Sequence, residues 1–246
     1  MIRQITWGFL ALVACGSPRA FAGTEELFRG AEWEKVSDRD GIVVSRWERP
    51  GADLFAFKAE AVVDSPIAKV ANVILDTDRQ KEWVPNLGEA RRVREISPTS
   101  RVQYLHIETP FVVKDRDFVV KGQAEYKPEE PSLFLHFAST EDEAAPPTNK
   151  VRGEIHASSY RLEPIEGGAK TRVTLLVNVD PKGTVPRWIV NLFQKSFPRQ
   201  TLKALRKQAS RDDVGEHPAV KAAFARVALP AGAVSLAAPA DEPVTR

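Results

Sequence analysis

The chain has 246 residues, a formal net charge of +2 and 43 % hydrophobic residues. That length holds one large domain or two small ones, and the near balance of charge argues against nucleic-acid binding through bulk electrostatics. The single cysteine, Cys15, allows no intramolecular disulfide and keeps cysteine-based metal sites out of the folded body.

Residues 1–22 read as an export signal, not as structure. Arg3 supplies the positive start, and Ile5 to Ala14 is an apolar run too short to span a bilayer. Two endings are open. Ala20-Phe21-Ala22 is a small-x-small site, implying cleavage before Gly23 and a soluble exported body. Leu12-Val13-Ala14-Cys15, followed by Gly16-Ser17, has the form of a bacterial lipobox, implying acylation of Cys15 and a membrane tether. Either ending places the body outside the cytoplasm, periplasmic or secreted.

Thr24 is an N-cap for a helix through Lys35, and Asp38-Arg39-Asp40-Gly41 is turn chemistry. Ile42–Trp47 and Leu54–Val63 read as strands, the second with Phe55, Phe57, Ala59, Ala61 and Val63 on one face. Asp64-Ser65-Pro66 starts a helix with Ile67, Val70, Ala71, Ile74 and Leu75 inward, followed by a short polar helix over Asp78–Trp83. Strands follow near Glu89–Ile96, Arg101–Thr109, Asp117–Tyr126, Ser132–Ser139, Val151–Leu162 and Thr171–Val179. Period-two alternation is clearest in Phe118, Val120, Gly122, Ala124 and Tyr126, and in Val173, Leu175, Val177 and Val179.

Val185–Ser210 predicts one long amphipathic helix. Trp188, Ile189, Leu192, Phe193 and Phe197 form its apolar stripe, and Lys203, Arg206 and Lys207 belong to a basic back. Pro198 interrupts it. This order of elements argues for an α+β fold with an antiparallel sheet whose concave side takes the helix. Residues 23–211 form the predicted domain. Residues 212–246 are an Ala/Pro-rich tail with a short helix near Pro218–Val227 and a disordered or loosely attached end.

Catalytic signals are sparse. There is no phosphate-binding glycine loop and no nucleophile elbow. His106, His136 and His156 stand singly in strands, none with a second ligand at metal spacing, and Glu82, Glu108 and Asp117 are acids without a defined pair. No cofactor, metal or nucleic-acid partner is implied.

Glu82-Trp83-Val84-Pro85-Asn86 and Arg116-Asp117-Phe118-Val119 resemble two motifs of START lipid-transfer domains. Phe57-Lys58-Ala59-Glu60, Val63-Asp64-Ser65-Pro66, Val179-Asp180, Lys182-Gly183, Val185-Pro186 and Leu205-Arg206-Lys207 extend the likeness over roughly Glu25 to Ala209. The resemblance implies a helix-grip fold, in which a curved antiparallel sheet wraps the C-terminal helix around an apolar tunnel for one lipid. It implies a monomer that binds and transfers a lipid without chemistry. Phe57, Trp83, Phe118, Val120, Gly122, Ala124, Leu133, Leu135, Val173, Leu175, Val177, Trp188, Leu192 and Phe193 are then the tunnel wall. Lys203, Arg206 and Lys207 are then the contact with an anionic membrane surface. The arginine that sterol-binding members carry six residues after the Arg116 position is Gly122 here, a departure from their pattern. Two other functions fit the same pattern: a helix-grip enzyme of the polyketide cyclase or hydrolase type, and an interaction module with a filled core.

Overall fold

Alternating apolar and polar side chains build a sheet with two chemically distinct faces. The structure, a computed structural model, describes residues 27–48, 55–109, 113–184 and 187–225; of residues 187–195 it describes the backbone alone. The strands are β1 (Glu34–Arg39), β2 (Ile42–Glu48), β3 (Phe55–Val63), β4 (Leu87–Ser97), β5 (Ser100–Ile107), β6 (Arg116–Lys127), β7 (Ser132–Ser139), β8 (Val151–Arg152), β9 (Glu154–Ile155), β10 (Ser158–Ile165), β11 (Lys170–Val177) and β12 (Val179–Asp180). The helices are α1 (Ile67–Leu75), α2 (Arg187–Ala209) and α3 (Pro218–Phe224), with a 3-10 helix at Thr77–Glu82.

The large sheet runs β1-β2-β3-β11-β10-β7-β6-β5-β4 with antiparallel neighbours, and β8 joins β6 in parallel. β9 and β12 form a separate ribbon. Helix α2 lies against β3, β2 and β11 and against α1, so the sheet curves around it in the expected α+β, helix-grip arrangement.

Apolar spacing at Ile67, Val70, Ala71 and Ile74 gives α1 one buried face. Its last carbonyls are satisfied from outside: Gln80 Nε2 donates to Ile74 at 3.0 Å, and Arg101 donates to Leu75. Leu202, Leu205 and Ala209 of α2 are fully buried in the same core as Ala59, Ala61, Val63, Leu162 and α1. Each leucine there contributes up to about 1.5–3 kcal/mol by burial. Ser65 ties these layers: its Oγ donates to the Ala209 carbonyl at 3.2 Å, and its own carbonyl accepts from Thr171 Oγ1 at 2.8 Å.

Three expectations are corrected. The helix expected through Lys35 gives way to β1 from Glu34, because Gly30, at φ 73°, turns the backbone. Phe28 then meets Trp47 edge-on, and Trp33 packs on both at tilted angles, on the outer face of the sheet. The strand expected over Val151–Leu162 is broken into β8, β9 and β10. Gly153 sits at the first break, where a Cβ would stand 2.4 Å from the Phe118 ring. The folded body also runs past residue 211: Val214, Val220 and Phe224 are buried in the main core, and Phe224 meets Tyr126 edge-on at 4.9 Å. The expected tail beyond 225 and the leader lie outside the described residues.

Candidate functional site

Between α2 and the concave face lies a cavity of about 280 Å³. Strand parity supplies most of its wall. Phe55 and Phe57 come from β3, Gln103, Leu105 and Ile107 from β5, and Arg116, Phe118 and Val120 from β6. Phe137, Ser158, Tyr160, Leu175 and Val177 continue the same face across β7, β10 and β11. Trp83 and Gln80 close one side, and Phe197 and Pro198 of α2 lie over it.

Of the residues expected to line a tunnel, the cavity brings together Phe57, Trp83, Phe118, Val120, Leu175 and Val177. Ala124, Leu133, Leu135 and Val173 have the same facing but sit further along their strands, where α1, α2 and α3 fill the space, so they belong to the solid core. Gly122 does not line the cavity either. It faces Phe137 across the β6–β7 pair, and a Cβ there would come within 3.3 Å of that ring. The glycine makes room for an aromatic wall residue; it adds no cavity space itself. The expected contributions of Trp188, Leu192 and Phe193 lie outside the described side chains.

Sequence reasoning left out Leu105, Ile107 and Tyr160 as lining residues. Their signal was present: Gln103, Leu105 and Ile107 share one parity in β5, and Tyr160 pairs with Leu175, itself an expected wall residue.

The lining is apolar with a few polar groups. Ser158 Oγ accepts from the Asn178 amide at 3.3 Å, and Gln103 Oε1 accepts from Thr77 Oγ1 at 3.5 Å. Burial pushes the Tyr160 phenol above its ordinary pKa, as expected for a hydroxyl facing an interior space instead of bulk water. Arg116 is 4 % exposed and donates from Nε to the Pro181 carbonyl at 3.2 Å, from Nη2 to the Lys182 carbonyl at 3.2 Å, and from Nη1 to the Lys114 carbonyl. Among the described lining residues it is the one with a formal charge.

The candidate acids lie elsewhere. Asp117 sits on the outer face, where Arg152 Nε donates to it at 2.8 Å and Thr148 Oγ1 at 2.7 Å. Glu82 is held well below the ordinary carboxylate range, at about 2, by donation from Arg79 and from Gln208. Glu108 and His106 both lie beside Gly88, and Asp115 Oδ2 accepts from His106 Nε2 at 2.7 Å. Pairing β9 with β12 gathers Glu154, His156 and Asp180, whose ligand atoms lie within 4.8 Å of one another, a grouping invisible in the sequence. Lys182 Nζ already bridges Glu154 at 2.9 Å and Asp180 at 2.8 Å.

The basic face of α2 divides. Lys203 and Lys207 are exposed. Arg206 is committed to the protein: it donates to the carbonyls of Val62, Asp40 and Gly41 at 2.8, 2.6 and 2.8 Å. Its donors are engaged on the β1–β2 turn and on β3, whereas Lys203 and Lys207 are exposed.

The START domain family matches residues 24–211. Mouse phosphatidylcholine transfer protein is 26 % identical over 184 residues, covering 72 % of this chain and 84 % of that protein. A STAR-related lipid transfer protein fragment from Xanthomonas axonopodis superposes with a TM-score of 0.65 at 24 % identity, covering 73 % of this chain and 99 % of the fragment. Human StAR-related lipid transfer protein 5 superposes with a TM-score of 0.69 at 19 % identity, covering 76 % of this chain and 93 % of that one. The matched span contains the sheet and helix that enclose the cavity, and the chain belongs to the START domain family.

Proposed function

We propose that this protein binds one hydrophobic ligand in the cavity and carries it between membranes of the cell envelope, without chemical change. The observation that carries the reading is the cavity itself, walled by Phe57, Phe118, Phe137, Leu175 and Val177 and covered by α2. Desolvation of an apolar ligand there is favourable at roughly 25 cal/mol per Å². The START relatives named for lipid transfer support the same reading. So does the scarcity of reactive groups: no carboxylate or histidine is among the described lining residues, so acid–base chemistry has no partner pair at the ligand. The leader supports an exported body, and exposed Lys203 and Lys207 support docking on anionic lipid.

Native mass spectrometry of the purified chain, with organic extraction of the same sample, tests this. A co-purified lipid, and transfer of it between vesicles, is the expected result. Turnover of an added acyl or polyketide substrate would support an enzyme, and an empty protein that takes up no apolar probe would leave the cavity without a ligand role.

A further inference from the structure

Among the described lining residues no carboxylate faces Arg116, and the one acid that acts on it, Asp115, does so without a hydrogen bond. The side chain is almost wholly buried and lines the wall. Its described hydrogen bonds all run to neutral main-chain carbonyls, those of Lys114, Pro181 and Lys182. These use three of the five N–H donors that a guanidinium carries. Asp115, the neighbouring acid, is engaged elsewhere: its Oδ1 accepts from the Thr109 amide at 2.9 Å and from Thr109 Oγ1 at 3.2 Å, and its Oδ2 lies 2.7 Å from His106 Nε2. Burial lowers the Arg116 pKa from its ordinary value, which marks an ion kept in a poor solvent. Arginine nevertheless stays protonated, and with Asp115 its only charge partner among the described residues, an anion in the cavity would stabilise it further.

We propose that the cavity selects an amphiphile with an anionic end group, a carboxylate or a phosphate, seated against Arg116. This rests on the reading of the cavity as a ligand site. The apolar body of the ligand then lies along Phe118, Phe57 and Val177, and the charged end lies where β6 begins and the chain from β12 turns toward α2. A neutral ligand of the same shape, such as an alcohol, buries the guanidinium further and offers it one ordinary hydrogen bond, whereas a carboxylate or phosphate gains stronger, charge-assisted ones.

The test is equilibrium binding to the full chain by palmitate, cetyl phosphate, cetyl alcohol and inorganic phosphate. Palmitate or cetyl phosphate should bind about tenfold or more tighter than cetyl alcohol. Which of the two anions leads identifies the end group, and competition by inorganic phosphate shows that the anion site acts alone. In Arg116→Gln the preference should collapse while cetyl alcohol still binds; Arg116→Lys should keep part of it. Because Arg116 also holds main-chain carbonyls, the wild-type ligand series decides the matter even if both variants fold poorly. Cetyl alcohol binding as tightly as both anions overturns the inference and leaves the cavity a ligand site. Binding by none of the amphiphiles overturns the cavity reading and this inference with it.

Discussion

Arg206 donates from Nη2 to the carbonyl of Gly41 at 2.8 Å, joining the basic helix to a turn 165 residues earlier. Nη1 and Nε reach Asp40 and Val62 in the same way, and Arg199 pairs with the Asp40 carboxylate. The Asp40-Gly41 turn has positive φ at both residues, which aims its carbonyls at the helix. The C-terminal half of α2 is therefore anchored by Arg206 and by buried Leu202 and Leu205.

From that contact, Arg206→Gln should destabilise the protein by roughly 2–3 kcal/mol, since charge-assisted hydrogen bonds to fixed carbonyls are lost. Lys203→Gln with Lys207→Gln should change stability by less than about 0.5 kcal/mol yet weaken binding to anionic vesicles. Urea midpoints and vesicle flotation separate the two effects. An Arg206→Gln midpoint equal to wild type would show the turn contact to be idle.

Gly153 is required by Phe118. A Cβ at 2.4 Å from the ring forces Phe118 to move, and Phe118 lines the cavity. Gly153→Ala should cost about 1–3 kcal/mol and weaken ligand uptake. Adding Phe118→Leu should recover much of the stability, a coupling readable in a double-mutant cycle. Additive losses would place the strain elsewhere.

Pro198 stands inside α2, which runs unbroken from Arg187 to Ala209 and covers the cavity at this point; the division of the helix expected there does not occur. Without a backbone N–H it leaves out one bond of the helical ladder, and the Arg199 and Arg206 contacts both lie on its C-terminal side. Pro198→Ala should raise the unfolding midpoint and slow ligand exchange, measured by stopped-flow release of a fluorescent fatty acid. Faster release would assign gating to another segment.

Acid should weaken the fold in two windows. Burial, with Arg101 nearby, holds His217 below its ordinary value of 6.5. The unfolded chain takes up that proton first, so stability present above pH 6.5 declines as pH falls toward the lower folded value. Glu82, held at about 2 against an ordinary 4.5, adds stability that is present above 4.5 and lost as pH falls toward 2. Asp213, lowered by Arg211 and Arg79, acts in the same direction. His217→Gln should flatten the upper window only; an unchanged slope between about pH 7 and pH 5 in that variant would remove His217 from the account.

Much of the wall was legible because side chains in a strand alternate with period two. Spacing grouped Phe118 with Val120 in β6, Leu175 with Val177 in β11 and Phe57 with its neighbours in β3, the START resemblance implied that these rows face a tunnel, and the structure puts all five residues on the cavity. Spacing carries no information on height along the sheet. Gly122, Ala124, Leu135 and Val173 share that face, yet neighbouring rings and the packed helices take the space above them. Charge was legible in the same limited way. The basic run on α2 could be counted, but Arg206 and Lys207, adjacent in sequence, were told apart in their contacts only when folding brought the β1–β2 turn against one of them. The Arg116 motif was visible as residues; the surroundings of its charge were decided by tertiary structure, which placed carbonyls from Pro181 and Lys182 around the guanidinium and no carboxylate among the described cavity walls. Local sequence determines periodicity and composition because those act within a few residues, whereas the cavity and its electrostatics arise from contacts between segments far apart in the chain.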